Sequence, residues 1–504
     1  MQLTPEQSAI QNHVLANEGL TLVSSVAGSG KTSLLVSIAA ALQPTTGLYL
    51  AYNRAISDEA STKFPHSVSC LTTHSLALRG LLANNYQMKL TDNLSYRNVP
   101  NVVSYEERCH IVDVLEHFFM SDFTSFTAFL KTKPLNAKSA KVAHTLIENM
   151  ANGLVECSHG FYLKLFHILL DRGDLQYPAF DIIMLDEAGD INPVTLAIFN
   201  LLPSSRKIMV GDPHQNIYSF NKTVNCFALM ENQGTLFPMS QSFRVSSKIA
   251  SKIQKFCQTY LHEDMEFRGI EVDESDIKSK AYIARTNATL ISRMIQLNQA
   301  GISYNMTRKP SSLFKLPKTL CSLKHHGFIT IPEYTYLQDD VNDYYESSAL
   351  REQYNSVLGY IKSAHPDDVR LQSALSIIFK FGAREVIACS EIATKHYKDY
   401  KRNGIKHNYT VGTGHSTKGL EFDSVELAHD MNEAIAPIIA AMDSGYLTPE
   451  RLSIESRTEL NLYYVACSRA RKVLENANFL SEPSTHSGYT FNPVLEQEAT
   501  NPNQ

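Results

Sequence analysis

A run of small residues followed by lysine and threonine, AGSGKTS, has the composition of a phosphate-binding loop. Small side chains let consecutive backbone N–H groups converge on an anion, and a following helix directs the positive end of its dipole at it. Lys31 supplies a positive charge and Thr32 an oxygen ligand for Mg²⁺. A strand-like segment before the loop and a helix-like segment after it favour this interpretation over an ordinary glycine-rich turn, although Ser25 replaces the glycine of the strict pattern. The residues expected around the nucleotide phosphates are Ala27, Gly28, Ser29, Gly30, Lys31, Thr32 and Ser33.

An acidic pair, Asp186 and Glu187, follows the apolar run IIML. Carboxylates at the carboxyl edge of a parallel sheet can reach the same pocket as a phosphate loop. Phosphoryl transfer needs a metal ion and an oriented water, so Asp186 would hold Mg²⁺ and Glu187 would polarise the attacking water. The alternative is that the pair only caps the next helix.

A third segment, VGDPHQNIYSF, follows the next predicted strand. Gln215 is placed to touch the γ-phosphate, while Tyr218 and Phe220 would project an aromatic surface outward. This arrangement would couple the nucleotide to a second ligand.

The composition sets limits on these interpretations. The chain has 504 residues, 43% hydrophobic content and a net charge of −5, so any surface for nucleic acid must be a local patch. Its eight cysteines contain no C-x-x-C pair, which argues against a zinc or iron–sulfur site and favours reduced thiols. We find no secretion signal and no apolar run near the roughly 18 residues that cross a bilayer. We therefore expect no membrane partner and a cytoplasmic location, or a nuclear one in a eukaryote.

Apolar runs alternate with amphipathic helical stretches, which predicts an α/β fold with parallel sheets. Two long, mainly helical or mixed stretches interrupt the alternation, and the chain from about residue 481 has a disordered composition. Strands are predicted at 20–26, 47–51, 180–185, 207–210, 280–286 and 408–413, and a helix at 456–471.

The order of these segments resembles the UvrD/Rep-like superfamily 1 helicases. VGDPHQNIYSF, LYLAYNRAISDEASTKFP and LTTHSLA look most like the F-box DNA helicase branch, although we expect no F-box before this helicase core. The resemblance implies two RecA-like P-loop domains, each interrupted by an insertion. The expected subdomains are 1A at 1–85 and 178–237, 1B at 86–177, 2A at 238–302 and 405–480, and 2B at 303–404, with a disordered tail at 481–504.

The same resemblance implies further ATP contacts. Gln7 would read adenine, Phe243 would stack on the base, and Arg244 would contact the γ-phosphate. Arg469, in YYVACSRAR, would stabilise the transferring phosphoryl group as a second arginine. In GTGHSTKGLEF the positions expected near the phosphates and ribose are Gly419 and Glu421.

The resemblance also implies a surface for single-stranded DNA. Aromatic side chains stack on any base, which suits a motor that ignores sequence. For each aromatic taken alone, a place in the core is the alternative. The expected DNA contacts are Tyr52, Asn53, His74, Phe220 and His415.

Three positions depart from the family pattern. Gly189 stands where glutamine is usual and cannot make that side chain's hydrogen bond, which predicts weaker coupling. Asn221 stands where arginine is common. The segment after Arg471 is less strand-like than expected.

These observations predict an ATP- and Mg²⁺-dependent DNA helicase or translocase. It would act on single-stranded DNA and single-strand/duplex junctions, in replication, repair or recombination and with partner proteins from those pathways. The resemblance implies 3′ to 5′ polarity. One alternative is an ATP-switched remodeller that strips proteins from single strands without unwinding duplex. A small-molecule kinase leaves Arg244 and Arg469 unexplained. A helicase–nuclease is disfavoured, because only about thirty residues follow Leu474.

Overall fold

The structure is a computed structural model that describes residues 2–217, 226–261, 265–323, 334 and 336–480. The chain divides into two compact units, Met1–Arg244 and Val245–Gln504. Each unit contains one parallel sheet and one helical insertion, which confirms the predicted α/β class. The finer subdomain bounds stay predictions.

The first unit is built on a six-stranded parallel sheet with the order β3-β2-β4-β5-β1-β6. Its central strands are apolar and buried on both faces, as expected for a parallel sheet covered by helices. The carboxyl ends of β1, β4 and β5 lie at one edge, so the segments that follow them meet there. The strands are β1 Gly19–Ser25, β2 Gly47–Ala51, β3 Val68–Thr72, β4 Phe180–Leu185, β5 Ser204–Gly211 and β6 Gly234–Met239.

Helices of the first unit cover the sheet or form the insertion between β3 and β4. The insertion has its own core, centred on Phe118, Phe119 and Phe161. The helices that flank the sheet strands are α1 Pro5–Ala16, α2 Lys31–Leu42, α3 Arg54–Ser61, α4 Thr73–Ala83, α9 Pro193–Leu201 and α10 Cys226–Met230. Those of the insertion are α5 Tyr105–Met120, α6 Phe126–Phe129, α7 Ala137–Ala151 and α8 His159–Arg172.

The second unit is built on a five-stranded parallel sheet with the order β10-β11-β9-β12-β13. The helices between β10 and β11 share one continuous core with helix α12 and strand β9. Numbered along the chain from the end of the first unit, the strands are β7 Gln241–Ser246, β8 Arg268–Ile270, β9 Lys280–Ala284, β10 Asn305–Met306, β11 Tyr409–Thr413, β12 Phe422–Leu427 and β13 Ala470–Glu475. The helices are α11 Ser247–Tyr260, α12 Asn287–Gln299, α13 Pro310–Leu313, α14 Lys315–Ser322, α15 Leu337–Glu346, α16 Ser348–Gln353, α17 Val357–Ala364, α18 Val369–Phe381, α19 Ala383–Asn403, α20 His429–Asp443 and α21 Ile454–Cys467.

Several element predictions need correction. The segment after Arg471 was expected to be a poor strand, but it continues β13, which pairs with β12. The predicted helix at 456–471 ends at Cys467, before Arg469. The strands β3 and β6 were not predicted; β6 contains Pro238 and is partly exposed, as edge strands often are.

The eight cysteines carry reduced thiols, and six of them are buried. Burial raises the pKa of Cys70 and Cys157 to about 11 and that of Cys226 and Cys389 to about 12. Within the described ranges, every helix is too short or too polar to cross a bilayer.

Candidate nucleotide and DNA sites

The predicted phosphate loop connects β1 to α2. Gly28 and Gly30 have left-handed backbones, with φ of +75° and +80°, which glycine adopts at little cost. A Cβ atom on Gly28 would lie 2.7 Å from the Cβ atom of Arg244, so the loop also needs the glycine for space. The first turn of α2 contains no acidic residue to offset the positive end of its dipole. The loop is therefore shaped and charged to accept an anion.

Two serines, Ser25 and Ser29, explain why the loop does without glycine at position 25 and where a phosphate oxygen can bind. The Ser25 hydroxyl donates to the Gly211 carbonyl at 2.9 Å and ties the end of β1 to the end of β5. Its backbone is outside the left-handed region, so this position does not need glycine. Ser29 Oγ is buried and has no hydrogen-bond partner among the described residues. Since buried hydroxyls are normally satisfied, a phosphate oxygen fits beside Ser29.

The Asp186 carboxylate is buried and accepts three hydrogen bonds. Oδ2 accepts from Thr32 Oγ1 at 3.0 Å and from the Tyr49 hydroxyl at 2.8 Å, and Oδ1 accepts from the Glu187 backbone N–H at 2.9 Å. The two predicted magnesium residues, Thr32 and Asp186, are thus in contact. Among the described residues, no three His, Cys, Asp or Glu side chains form a metal cage. This donor set fits Mg²⁺ bound together with nucleotide phosphates, since Mg²⁺ usually takes only one or two protein oxygens.

Glu187 has a strained backbone and faces Lys31. Its φ and ψ are 53° and 43°, in the left-handed region, where a residue with a Cβ atom costs about 1–2 kcal/mol. Glu187 Oε2 lies 3.6 Å from Lys31 Nζ. Such strain is often kept where it fixes a functional side chain. The structure therefore brings together the lysine of the loop and the acid predicted to orient water.

The charges of this cluster are coupled. Burial lowers the pKa of Lys31, but the nearby Glu187, Asp212 and Asp186 outweigh it, and the pKa is raised overall. Burial and the neighbouring Glu187 raise the pKa of Asp186, although Lys31 and the two hydroxyl donors oppose this. A bound divalent cation would favour the ionised form of Asp186.

Two residues predicted to contact adenine lie against the loop. Gln7 forms a capping box with Thr4 at the start of α1, and Gln7 Nε2 donates to the Ser29 carbonyl at 3.2 Å. The Phe243 backbone N–H donates to the Gly28 carbonyl at 2.9 Å, and the Phe243 side chain is exposed. An exposed ring beside the loop is available for stacking. Base recognition by Gln7 and Phe243 stays a prediction.

Gln215 is held by a neighbouring acid. Gln215 Nε2 donates to Asp212 Oδ2 at 2.8 Å, and the His214 backbone N–H donates to Asp212 Oδ1 at 3.0 Å. All three residues are buried in the first unit. The predicted role of Gln215 at the γ-phosphate stays a prediction.

A cavity of about 340 Å³ in the first unit is lined in part by two of the predicted DNA residues. Tyr52, which is exposed, and His74 line the cavity, and so does Asp186. Burial and the nearby His159 lower the pKa of His74 to about 4, so it is neutral near pH 7. The predicted DNA residues Tyr52 and His74 and the predicted magnesium residue Asp186 thus line the same cavity.

Asn53 has a structural role as well as its predicted one. Its Oδ1 accepts from the Ile56 backbone N–H at 3.0 Å and caps α3. Phe220, Tyr218 and Asn221 lie outside the described residues.

The remaining predicted residues belong to the second unit. Arg469 is 1% exposed and donates from Nε to the Val465 carbonyl at 2.9 Å and from Nη2 to Ser468 Oγ at 3.0 Å. Gly419 has a φ of +80°. Glu421 lies 3.5 Å from Arg471, and His415 begins a single helical turn. The nucleotide and DNA roles of these residues stay predictions.

Comparison with protein-family models shows to which family this chain belongs. The model for an AAA domain matches residues 6–221, and the model for the UvrD-like helicase C-terminal domain matches residues 122–476, which is more than half of the chain. The chain belongs to the UvrD-like helicases. Membership of this family implies nucleotide binding.

Individual relatives of this UvrD-like helicase confirm the predicted likeness to the F-box branch. F-box DNA helicase 1 of Gallus gallus is 27% identical over 524 residues, covering 94% of this chain and 49% of the relative. F-box DNA helicase protein 1 of Schizosaccharomyces pombe is 25% identical over 531 residues, covering 94% and 57%. The mitochondrial ATP-dependent DNA helicase HMI1 of Saccharomyces cerevisiae is 24% identical over 216 residues, covering 39% and 30%. The chain spans about half the length of the first two relatives.

The structure explains the glycine at position 189 of this UvrD-like helicase. A Cβ atom there would lie 2.5 Å from the Asp212 carbonyl oxygen, and one on Gly211 would lie 2.8 Å from the Gly189 nitrogen. The segment after β4 therefore packs on the segment after β5 through backbone atoms. Weaker coupling at this position stays a prediction.

Two polar residues of the candidate nucleotide site were not predicted from the sequence. Tyr49 lies in the apolar strand LYLA, so from the sequence it resembles an ordinary core aromatic. Its polar contact could have been suspected only because a buried tyrosine hydroxyl usually needs a hydrogen-bond partner. Asp212 precedes proline in a turn, and its contact with Gln215 has no signature in the sequence.

Proposed function

We propose that this UvrD-like helicase is an ATP- and Mg²⁺-dependent DNA helicase that translocates along single-stranded DNA. One observation carries the proposal: the buried Asp186 contacts Thr32 of the phosphate loop and lines the cavity that contains Tyr52 and His74. A nucleotide site and a candidate DNA surface thus share one carboxylate. Small changes at the nucleotide can reach the DNA side through rigid packing.

The residues of the first unit have distinct roles in this proposal. Lys31 and the loop bind the phosphates, while Thr32 and Asp186 would hold Mg²⁺. When bound, Mg²⁺ neutralises phosphate charge. Glu187 accepts a hydrogen bond from the attacking water and orients it. Arg244, beside Gly28, stabilises the charge that develops on the γ-phosphate.

The proposed roles of residues in the second unit come from the family motifs. We assign Arg469 to the transferring phosphoryl group and Gly419 and Glu421 to the phosphates and ribose. The guanidinium of Arg469 is held by carbonyl and hydroxyl oxygens of its own unit, so its position is fixed before any nucleotide binds. A fixed donor costs little reorganisation during reaction.

A basic groove in the second unit supports binding to the DNA backbone. A cavity of about 550 Å³ lies between α13, α14 and α19, and its lining contains no acidic residue. Its cationic side chains are exposed, so they can contact phosphates although the chain as a whole is acidic. We call this surface the basic groove; its cations are Lys309, Lys315, Lys318, Lys398, Lys401 and Arg402.

The finer parts of the proposal come from the family resemblance. They are movement from 3′ to 5′, action at single-strand/duplex junctions, and a role in replication, repair or recombination with proteins of those pathways. The location would be nuclear in a eukaryotic cell and cytoplasmic otherwise.

Steady-state ATP hydrolysis with and without single-stranded DNA tests the proposal. We expect DNA to stimulate hydrolysis, and both Lys31→Ala and Arg469→Ala to abolish it, with nucleotide binding kept in the second variant. Turnover indifferent to DNA, with phosphate transferred to a small molecule, would overturn the proposal in favour of a kinase.

Strand displacement then separates helicase from remodeller. Substrates with a 3′ or a 5′ tail report unwinding and its direction, and a strand coated with bound protein reports stripping. Unwinding from the 3′ tail is expected. Stripping without unwinding on either tail would identify the remodeller.

A further inference from the structure

A buried tyrosine on β2 reaches the carboxylate of Asp186. Tyr49 is 0% exposed, and β2 lies beside β4, the strand that leads to Asp186. The Tyr49 hydroxyl donates to Oδ2 at 2.8 Å, the same oxygen that accepts from Thr32 at 3.0 Å. Two elements from different parts of the chain therefore act on one oxygen atom.

These contacts fix the orientation of the carboxylate. An ionised carboxylate has about four acceptor positions, two on each oxygen. Oδ2 has two donors, and Oδ1 accepts from the Glu187 backbone N–H. Without the Tyr49 hydroxyl, the carboxylate would keep one donor on each oxygen and could rotate about its Cβ–Cγ bond more freely.

The hydroxyl itself has little freedom to move. The Tyr49 ring lies in the core of the first sheet and packs on Phe64 with ring centroids 4.7 Å apart. Its neighbours on adjacent strands include Met184. A donor on a rigid element positions a functional group more accurately than a donor on a loop.

We propose that Tyr49 is a positioning residue that holds the Asp186 carboxylate in the orientation required by the magnesium–nucleotide complex. The inference rests on the proposed nucleotide site and adds to it a fully buried residue on β2. Its action is through Asp186 alone.

The variant Tyr49→Phe removes one oxygen atom and keeps the ring. We expect the Mg²⁺ concentration that half-saturates binding of a fluorescent ADP analogue to rise about tenfold, because a hydrogen bond to a charged group is lost. Binding of the same analogue in EDTA should be unchanged. The kcat for ATP should fall while KM measured at saturating Mg²⁺ stays near the wild-type value.

Two control variants separate positioning from packing. Tyr260→Phe removes another buried hydroxyl that donates to a carboxylate, Asp443, at 3.1 Å in the second unit. Phe64→Leu loosens the packing around Tyr49 but leaves its hydroxyl in place. Both should lower the unfolding temperature without changing the Mg²⁺ requirement.

An unchanged Mg²⁺ requirement in Tyr49→Phe would overturn the inference, and so would an equal shift in Phe64→Leu. The Mg²⁺ titration of nucleotide binding is carried out without DNA, so its result does not depend on the proposed motor function. If wild-type hydrolysis does not respond to DNA, the proposed motor function fails, yet the Mg²⁺ titration of nucleotide binding still decides the role of Tyr49.

Discussion

At the scale of single residues, the nucleotide site depends on a few side chains held in costly arrangements. Glu187 keeps a left-handed backbone, Asp186 is a buried carboxylate, and the Lys31 side chain is only 11% exposed. Each would destabilise the fold in isolation. Their mutual contacts offset this cost and leave the groups oriented for a ligand.

We expect Glu187→Gln to lower kcat for ATP hydrolysis about 100-fold or more, because a neutral amide oxygen polarises the attacking water much less than a carboxylate does and cannot take up its proton. Nucleotide affinity should be kept, since the loop and Lys31 are unchanged. Parallel measurements of hydrolysis and of binding of a fluorescent nucleotide check this. The exposed Glu59→Gln is the matched control, and equal losses in the two variants would contradict the assigned role.

Restoring the usual family residue at position 189 should harm this protein. In Gly189→Gln the new side chain would meet the Asp212 carbonyl, and we expect a loss of about 1–3 kcal/mol from overpacking. Thermal unfolding measures it. Gly359→Ala, in a helix where the added Cβ atom meets only Ser356 Oγ at 3.4 Å, should be neutral or stabilising. A Gly189→Gln variant as stable as wild type would show that the two segments can separate easily.

At the scale of elements, the sequence predicts local order better than long-range contacts. The loop and the acidic pair follow short apolar strands, and their positions were predictable because strand, turn and helix signals are local. Tyr49 and Asp186 are 137 residues apart, and no local signal pairs them. The strand β13 was underestimated because pairing with β12, and not its own composition, makes it a strand.

The helix α8 carries a histidine that should make the first unit sensitive to acid. Burial and the nearby Lys164 lower the pKa of His167 to about 4, although Asp171 and Asp122 oppose this. The folded state therefore binds this proton more weakly than the unfolded state, whose pKa is about 6.5. Stability should be full above about pH 6.5 and should fall as the pH drops toward 4.

The variant His167→Phe checks this expectation. It removes the titrating ring, so chemical denaturation between pH 7 and about 4 should show a smaller loss of stability than in wild type. The exposed His66→Phe should keep the wild-type slope. Identical pH profiles for wild type and His167→Phe would show that His167 does not contribute.

At the scale of the whole molecule, the proposed binding of DNA depends on how charge is distributed, since the chain is acidic overall and the basic groove is local. The family order of motifs could be read from the sequence, and so could the two-sheet plan. The basic groove could not be predicted from the sequence. Its cations lie near the beginning and the end of the second unit's insertion, and they come close together only in the folded chain.

Charge reversal in the basic groove should weaken DNA binding and its dependence on salt. We expect the double variant Lys398→Glu and Lys401→Glu to reduce the slope of log affinity against log salt by about 1 to 2, because fewer counterions are released. Fluorescence anisotropy with a tailed duplex at several salt concentrations measures it. Lys362→Glu with Lys380→Glu, outside the groove lining of the same insertion, changes the charge equally and should leave the slope unchanged. Equal slopes in both double variants would remove the groove from the DNA surface.

The burial of most thiols has a practical consequence for following the motion of this protein. Cys109, on α5, is one of only two cysteines that are not buried, and burial raises the pKa of the other, Cys70, to about 11. Thiol-directed dyes react with the thiolate, so brief labelling at neutral pH should attach a single dye at Cys109 without removal of any native cysteine. The helical insertion of the first unit therefore carries a built-in attachment point for single-molecule fluorescence.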